Sequence, residues 1–294
     1  MKEKNHAISA RDRLLARARR DGEDFQRLLV RYAIERLLYR LSVSAHVDDF
    51  VLKGATLFAI WMGSPHRATK DLDLLGRGSP DEARLVGIFR EIVSVPFPED
   101  GMGFDGGGIT GAAIRSEARY PGVRVVVPAE LAGARLLVQV DVGLGDAAVP
   151  APTPCEMASL LDLLGPRLPA YARETVVAEK LEALVVLGLA TSRMKDLYDL
   201  ELLRRTFSFD QRLHEAVAAT FARRRTPVPA ELPVGLSDAF AFDGVKNQQW
   251  RAFVRRAGGE QGMELGAVVA ALRAWLWPVL QAVAGGQGGA GGVG

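Results

Sequence analysis

Phe50-Val51-Leu52-Lys53-Gly54-Ala55-Thr56 and, about fifteen residues on, Asp71-Leu72-Asp73-Leu74-Leu75 decide how this chain is read. The first stretch is a short buried strand that runs through Gly54 into an apolar helix ending near Trp61. The second is another strand, stopped by Gly76-Arg77-Gly78. On a strand, residues i and i+2 point to one side with Cα atoms roughly 6–7 Å apart, which places Asp71 and Asp73 together. Two carboxylates so placed repel unless a positive charge sits between them, and a hard divalent cation such as Mg²⁺ suits oxygen donors. An isolated Asp-x-Asp pair is equally at home on a solvated strand edge, so the pair needs its context.

That context is the junction at Gly54-Ala55-Thr56. A helix start offers unsatisfied N–H groups and a positive dipole end to a phosphate. Gly54 permits close approach and Thr56 adds a hydroxyl, although Thr56 can equally serve its own helix. Asp141 supplies a third acid within Leu136-Leu137-Val138-Gln139-Val140-Asp141-Val142. An acid among buried strand residues is costly unless paired or metal-bound, or placed at an exposed strand end. Three acids on two strands beside a helix start form a constellation suited to two-metal nucleotidyl transfer.

Outward from this centre, the chain reads as an α/β first half and an all-helical second half. Two helices precede Phe50, and a helix over 81–93 follows Pro80. β-rich runs cover 114–118, 123–127 and 136–142. Residues 143–170, rich in Pro and Gly, read as a surface connector. Helices are expected over 174–189, 192–205, 210–224, about 246–257 and 265–283. The expected division is 1–165, 166–284 and a flexible Gly-rich tail over 285–294.

The 294 residues carry 37 Lys and Arg, 35 Asp and Glu, 48% hydrophobic and 24% charged side chains. Disorder throughout is excluded, because so much apolar surface can offset the entropy of folding. The net charge of +2 excludes a polycation that coats nucleic acid. The charge is uneven: residues 1–42 hold eleven Lys and Arg against six acids, leaving the remainder at net −3. Arg13, Arg17 and Arg20 share one helix face, either a solvated face or a phosphate-facing patch. Cys155 is the only cysteine, and the histidines His6, His46, His66 and His214 form no zinc pattern. Residues 1–13 lack a signal-peptide core, and the apolar stretch 265–284 carries Arg273 and Pro278, so a cytoplasmic protein with a packed terminal helix is expected. Gly106-Gly107-Gly108-Ile109-Thr110-Gly111 matches GxGxxG but opens no helix, and reads as a hairpin or loop. No phosphate-binding G-x4-G-K-[ST] occurs.

Further segments make a resemblance specific. Phe50 to Thr56, Arg67-Ala68-Thr69-Lys70-Asp71-Leu72-Asp73-Leu74, and Val140-Asp141-Val142-Gly143-Leu144-Gly145-Asp146 are followed by two helical motifs. These are Glu174-Thr175-Val176-Val177-Ala178-Glu179-Lys180-Leu181-Glu182-Ala183-Leu184 and Ser192-Arg193-Met194-Lys195-Asp196-Leu197-Tyr198-Asp199-Leu200. In order and spacing, over roughly residues 20–283, the set resembles the AbiEii/AbiGii family of nucleotidyltransferase-like toxins. One departure is Ala55, where the family often has glycine or serine.

The resemblance implies a DNA polymerase β-like nucleotidyltransferase domain with a mixed sheet, followed by an all-α domain. It implies Mg²⁺ at Asp71 and Asp73, with Asp141 completing the metal site. Lys53, Gly54, Thr56, Thr69 and Lys180 are the implied NTP contacts, and Asp196 a further essential acid. On the residues alone, Lys180 and Asp196 also suit a structural ion pair between neighbouring helices, with Asp199 or Arg193 as further partners. The implied function is a toxin transferring nucleotides from NTP to RNA, in relatives tRNA, opposed by an AbiEi-type antitoxin. The alternatives are transfer of a nucleotidyl or phosphoryl group to a small molecule or protein, or nucleotide binding without catalysis.

Overall fold

The computed structural model describes residues 5–63, 67, 71–114, 122–258 and 262–288. The chain forms two compact units, residues 1–145 with 153–170 and residues 146–152 with 171–294.

The first unit opens with α1 (His6–Asp21) and α2 (Phe25–Ser42). Asn5 caps α1 by accepting from Ile8 N–H, Gly22 ends it in the left-handed region, and Asp24 caps α2. There follow β1 (Phe50–Lys53), α3 (Thr56–Met62), β2 (Asp71–Gly76), α4 (Glu82–Ser94), β3 (Gly103–Phe104) and β4 (Thr110–Ile114). The long hairpin β5 (Gly122–Leu131) and β6 (Ala134–Leu144) comes next, then β7 (Thr153–Glu156) and β8 (Arg167–Ala170). The sheet order is β3-β5-β6-β2-β1-β8-β7, with β4 also on β5. The β2–β6 and β1–β8 pairs are parallel and the others antiparallel.

Alternation fixes which face is dry. Leu72, Leu74, Val125, Val127, Val138, Val140 and Val142 are buried, and α2 packs on β6 while α4 packs on β4 and β5. Asp71, Asp73, Gln139, Asp141 and Arg124 fall at the intervening positions and keep partial or full exposure. A one-residue slip would exchange these sets, so the apolar pattern pins the register that brings the acids together.

One sequence expectation requires correction. Residues 143–170 are not only a surface connector: β7 and β8 extend the sheet beyond β1. Each has four residues, and Pro154 faces Pro169 across the pair, so proline hides the strand signal. Of the N-terminal arginines, Arg13 and Arg17 are engaged within the unit. Arg13 donates to the Leu161 carbonyl at 2.8 Å and to Asp162, and Arg17 donates to the Leu160 carbonyl at 2.9 Å. Arg20 pairs with Asp21. Below them, Arg36 donates to the Leu164 carbonyl, while Glu35 accepts from Ser159 Oγ and Leu160 N–H. Buried Arg40 forks onto Asp100. The N-terminal cations thus hold residues 159–164 and the loop around Asp100. Capturing otherwise unsatisfied loop carbonyls gives these arginines a local role.

Gly106, Gly107 and Gly108 lie in the turn between β3 and β4, where Asp105 accepts from Gly107 and Gly108 N–H. Of the expected strand 114–118, residues 115–118 lie outside the described residues.

The second unit contains α5 (Arg173–Leu187), α6 (Met194–Thr206), α7 (Arg212–Arg224), the short α8 (Asp238–Ala241), α9 (Gly244–Ala257) and α10 (Leu265–Gly288). α5 packs on α7, and α10 on α6 and α7. α10 is the one described helix long and apolar enough to cross a membrane. Its Leu265, Val269, Leu272, Leu276 and Leu280 form a buried stripe at helical spacing, and Arg273 donates to the Leu236 carbonyl and Asp238. The helix continues to Gly288; residues 289–294 of the expected tail lie outside the described residues.

Candidate active site

On the face of the sheet opposite the buried valines, the strand registers line up four charged residues. Lys53 on β1 faces Asp73 on β2, Asp73 faces Asp141 on β6, and Asp141 faces Arg124 on β5. Directly paired residues point to the same face. The result is a row of alternating ends, cation–acid–acid–cation, across four strands. Asp71 stands two residues along β2, opposite Gln139.

Gly54 follows Lys53 with φ +75°, a region L side chains rarely adopt. A Cβ at this position would lie 2.0 Å from Asp73 Oδ2. The carboxylate of Asp73 therefore fills the space that glycine leaves. Thr56 is buried at the start of α3, and Ala55 is the residue before the helix.

Asp141 is held by Arg124 through two parallel bonds, Nε to Oδ1 at 2.8 Å and Nη2 to Oδ2 at 2.8 Å. This is the fork geometry that suits a carboxylate. The Arg124 pKa is raised, chiefly by that hydrogen bond to Asp141, with Asp71 and Asp73 adding to it. Arg124 was not singled out by the sequence, where it stands as a lone cation within Val123-Arg124-Val125-Val126-Val127. Only the antiparallel register connects it to Asp141.

The residues fit a divalent cation. Asp71 and Asp73 are hard oxygen donors on one face of one strand, and the space above Gly54 accommodates the second carboxylate. Among the described residues, no cluster of three or more metal-ligating side chains is preformed. Asp141 lies beside Asp73 with Arg124 on both its oxygens. Thr69 lies outside the described residues.

Lys180 and Asp196 belong to the second unit. Lys180 Nζ lies 2.7 Å from Asp196 Oδ1 and 2.8 Å from Asp199 Oδ2, while Arg193 Nε lies 2.7 Å from Asp196 Oδ2. Both aspartates are buried. Burial opposes the ammonium, yet Asp196 and Asp199 outweigh it and raise the Lys180 pKa. Burial likewise opposes the Asp196 carboxylate, but Lys180 and Arg193 hold its pKa below the usual aspartate range.

A neighbouring network in the same unit was missed by sequence reading. Arg224 pairs with Asp146 at 3.0 Å, Glu182 at 2.9 Å and Glu179 at 3.4 Å. Tyr171 and Thr226 hydroxyls donate to Glu179 and Glu182. Burial disfavours the Arg224 charge, and the three carboxylates more than compensate, raising its pKa. The only signal was Glu179 and Glu182 at helical spacing beside Lys180.

A family model described as nucleotidyl transferase AbiEii toxin, type IV TA system, matches residues 36–276. No curated protein matches the chain. Among solved structures, JHP933 from Helicobacter pylori aligns with a TM-score of 0.51 at 16% identity, covering 91% of this chain and 97% of that one. A second H. pylori structure, provisionally named a nucleotidyltransferase, aligns with a TM-score of 0.46 at 16% identity over 91% and 98% of the two chains.

Proposed function

The chain belongs to the AbiEii family of nucleotidyltransferase toxins, and on that premise we propose that it transfers a nucleotidyl group from an NTP to an RNA 3′ end, with tRNA as the acceptor class. Its fold, a mixed sheet with flanking helices and then a helical unit, is the one we read as a nucleotidyltransferase domain of the DNA polymerase β type. The observation that carries the reading is Asp71 and Asp73 side by side on the open face of β2, with Gly54 leaving room for Asp73.

In this reading Asp71 and Asp73 would hold Mg²⁺, which would supply Lewis-acid stabilisation of charge on the triphosphate. Gly54 and Thr56, at the start of α3, and Lys53 contact the phosphates, as does Thr69. Lys180 serves as the phosphate-contacting cation of the second unit, with Asp196 keeping it charged. Asp141 would complete that metal site beside the attacking 3′-hydroxyl and take its proton. The hydroxyl oxygen forms a bond to the α-phosphorus as the bond to the pyrophosphate oxygen breaks, and pyrophosphate carries away the electron pair.

Type IV toxin–antitoxin membership implies an antitoxin partner, and we assign it to the AbiEi type. The cytoplasm, where NTP and tRNA are found, is the proposed compartment.

A second reading keeps the chemistry and changes the acceptor to a small molecule or a protein. It is favoured by the engagement of Arg13 and Arg17 with the carbonyls of Leu161 and Leu160, which occupies guanidinium N–H groups an RNA phosphate would use. Sequencing of RNA 3′ ends after induction in cells, with mass spectrometry of protein and metabolite pools, separates the two. Added nucleotides on tRNA support the first reading, and nucleotidylated protein or metabolite with unchanged RNA supports the second.

A further inference from the structure

Arg124 on β5 flanks the acid row. Arg124 engages both oxygens of Asp141, and Asp141 is the cross-strand neighbour of Asp73. We propose that Arg124 is a resident counter-ion competing with a divalent cation for Asp141, so that a cation entering at Asp71 and Asp73 gains the third acid only when the guanidinium lets go. The inference rests on the metal reading of Asp71 and Asp73 given above.

Three observations support it. A carboxylate with a fork of two N–H bonds has its charge neutralised locally, and a dication approaching it meets the guanidinium charge. The pair is also open to water: the Arg124 side chain is 43% exposed and that of Asp141 21%. Partly solvated pairs are weak enough to be exchanged. Finally, Arg124 feels all three acids, because Asp71 and Asp73 also contribute to its raised pKa. A cation between Asp71 and Asp73 weakens that attraction, so metal entry and release of Arg124 favour each other. Arg124 acts through Asp141 and is a positioning residue.

The test is Mn²⁺ binding to the full chain without nucleotide, followed by electron paramagnetic resonance and calorimetry. Wild type is compared with Arg124→Gln, Arg124→Lys, Asp141→Asn and the Arg124→Gln/Asp141→Asn double variant. Arg124→Gln should bind Mn²⁺ up to about fivefold more tightly, the scale expected for losing a partly exposed ion pair. Arg124→Lys, which keeps the charge and loses the fork, should fall between them and guards against a folding artefact. In the Asp141→Asn background, Arg124→Gln should change affinity little. Unchanged or weaker binding by Arg124→Gln overturns the proposal. So does an equal gain in the Asp141→Asn background, which marks a general field effect. Absence of Mn²⁺ binding in every variant instead removes the metal reading itself, and the inference with it.

Discussion

Asp73 occupies the volume that a side chain on residue 54 would need: a Cβ built on Gly54 lies 2.0 Å from Asp73 Oδ2 and 2.6 Å from its Cγ. Strand β2 can therefore bring its second acid against the end of β1 only because residue 54 is glycine. The same residue adopts φ +75°. Replacement by alanine adds backbone strain of about 1 kcal/mol and displaces the carboxylate. Gly54→Ala should reduce transfer roughly 100-fold, the cost of misplacing a reacting group by about 1 Å, and lower Tm by a few degrees. Wild-type turnover in a folded Gly54→Ala protein would contradict this geometry.

The Lys180 triad should be a large stability element of the second unit. Lys180→Met leaves Asp196 and Asp199 buried without their shared ammonium, which should cost about 3–5 kcal/mol in denaturant unfolding. Lys180→Met/Asp196→Asn/Asp199→Asn should recover part of it. The folded Asp196 pKa lies below the usual range, so its contribution is present above the unfolded value. It is lost as pH falls through the folded value. The Tm gap between wild type and Asp196→Asn should accordingly close on acidification; a gap that widens towards acid refutes the assignment.

His46 gives the opposite sign. Partial burial opposes its charge, but Asp49 at 3.0 Å and Glu91 at 2.9 Å outweigh this and raise its pKa. A raised pKa stabilises the protein below the unfolded imidazole value, and the gain is lost as pH rises through the folded value. His46→Gln should therefore destabilise the protein, and lower Tm, more at about pH 5.5 than at about pH 9, with a free-energy difference of about 1 kcal/mol or less. An equal loss at both pH values would show that the ring acts through packing alone.

Arg13 and Arg17 should stabilise a loop rather than bind RNA. Arg13→Ala/Arg17→Ala should increase proteolysis around residues 159–164, whose carbonyls these side chains hold. It should leave the salt dependence of tRNA binding unchanged. Two lost phosphate contacts would instead lower the slope by about 1.5, and that result would restore the basic patch.

Much of the site was legible in sequence because strands alternate. Asp71-Leu72-Asp73-Leu74 places acids and leucines on opposite faces whatever the rest of the fold does, and Gly54 marks a tight junction. The pairing of Lys180 with Asp196 was legible only as the rival to a phosphate contact, because a lysine in an apolar helix needs a partner or a route to water. The Arg124–Asp141 fork was not, since it depends on the register of the β5–β6 hairpin, which spacing within one strand does not specify. Likewise, Arg13 and Arg17 have the spacing of a solvated helix face, yet their acceptors lie 148 and 143 residues away. β7 and β8 were hidden by their length and prolines, and only the sheet edge beyond β1 reveals them as strands.

The most direct test of the central claim is transfer of α-phosphate label from each NTP, with Mg²⁺, to total tRNA by wild type, Asp71→Asn and Asp73→Asn proteins shown to be folded. The account predicts label at tRNA 3′ ends with wild type and a loss of about 100-fold or more in each variant, the scale of removing charge stabilisation at a reacting centre. Equal labelling by wild type and both variants, or no labelling by folded wild type with any NTP under varied metals, would contradict it.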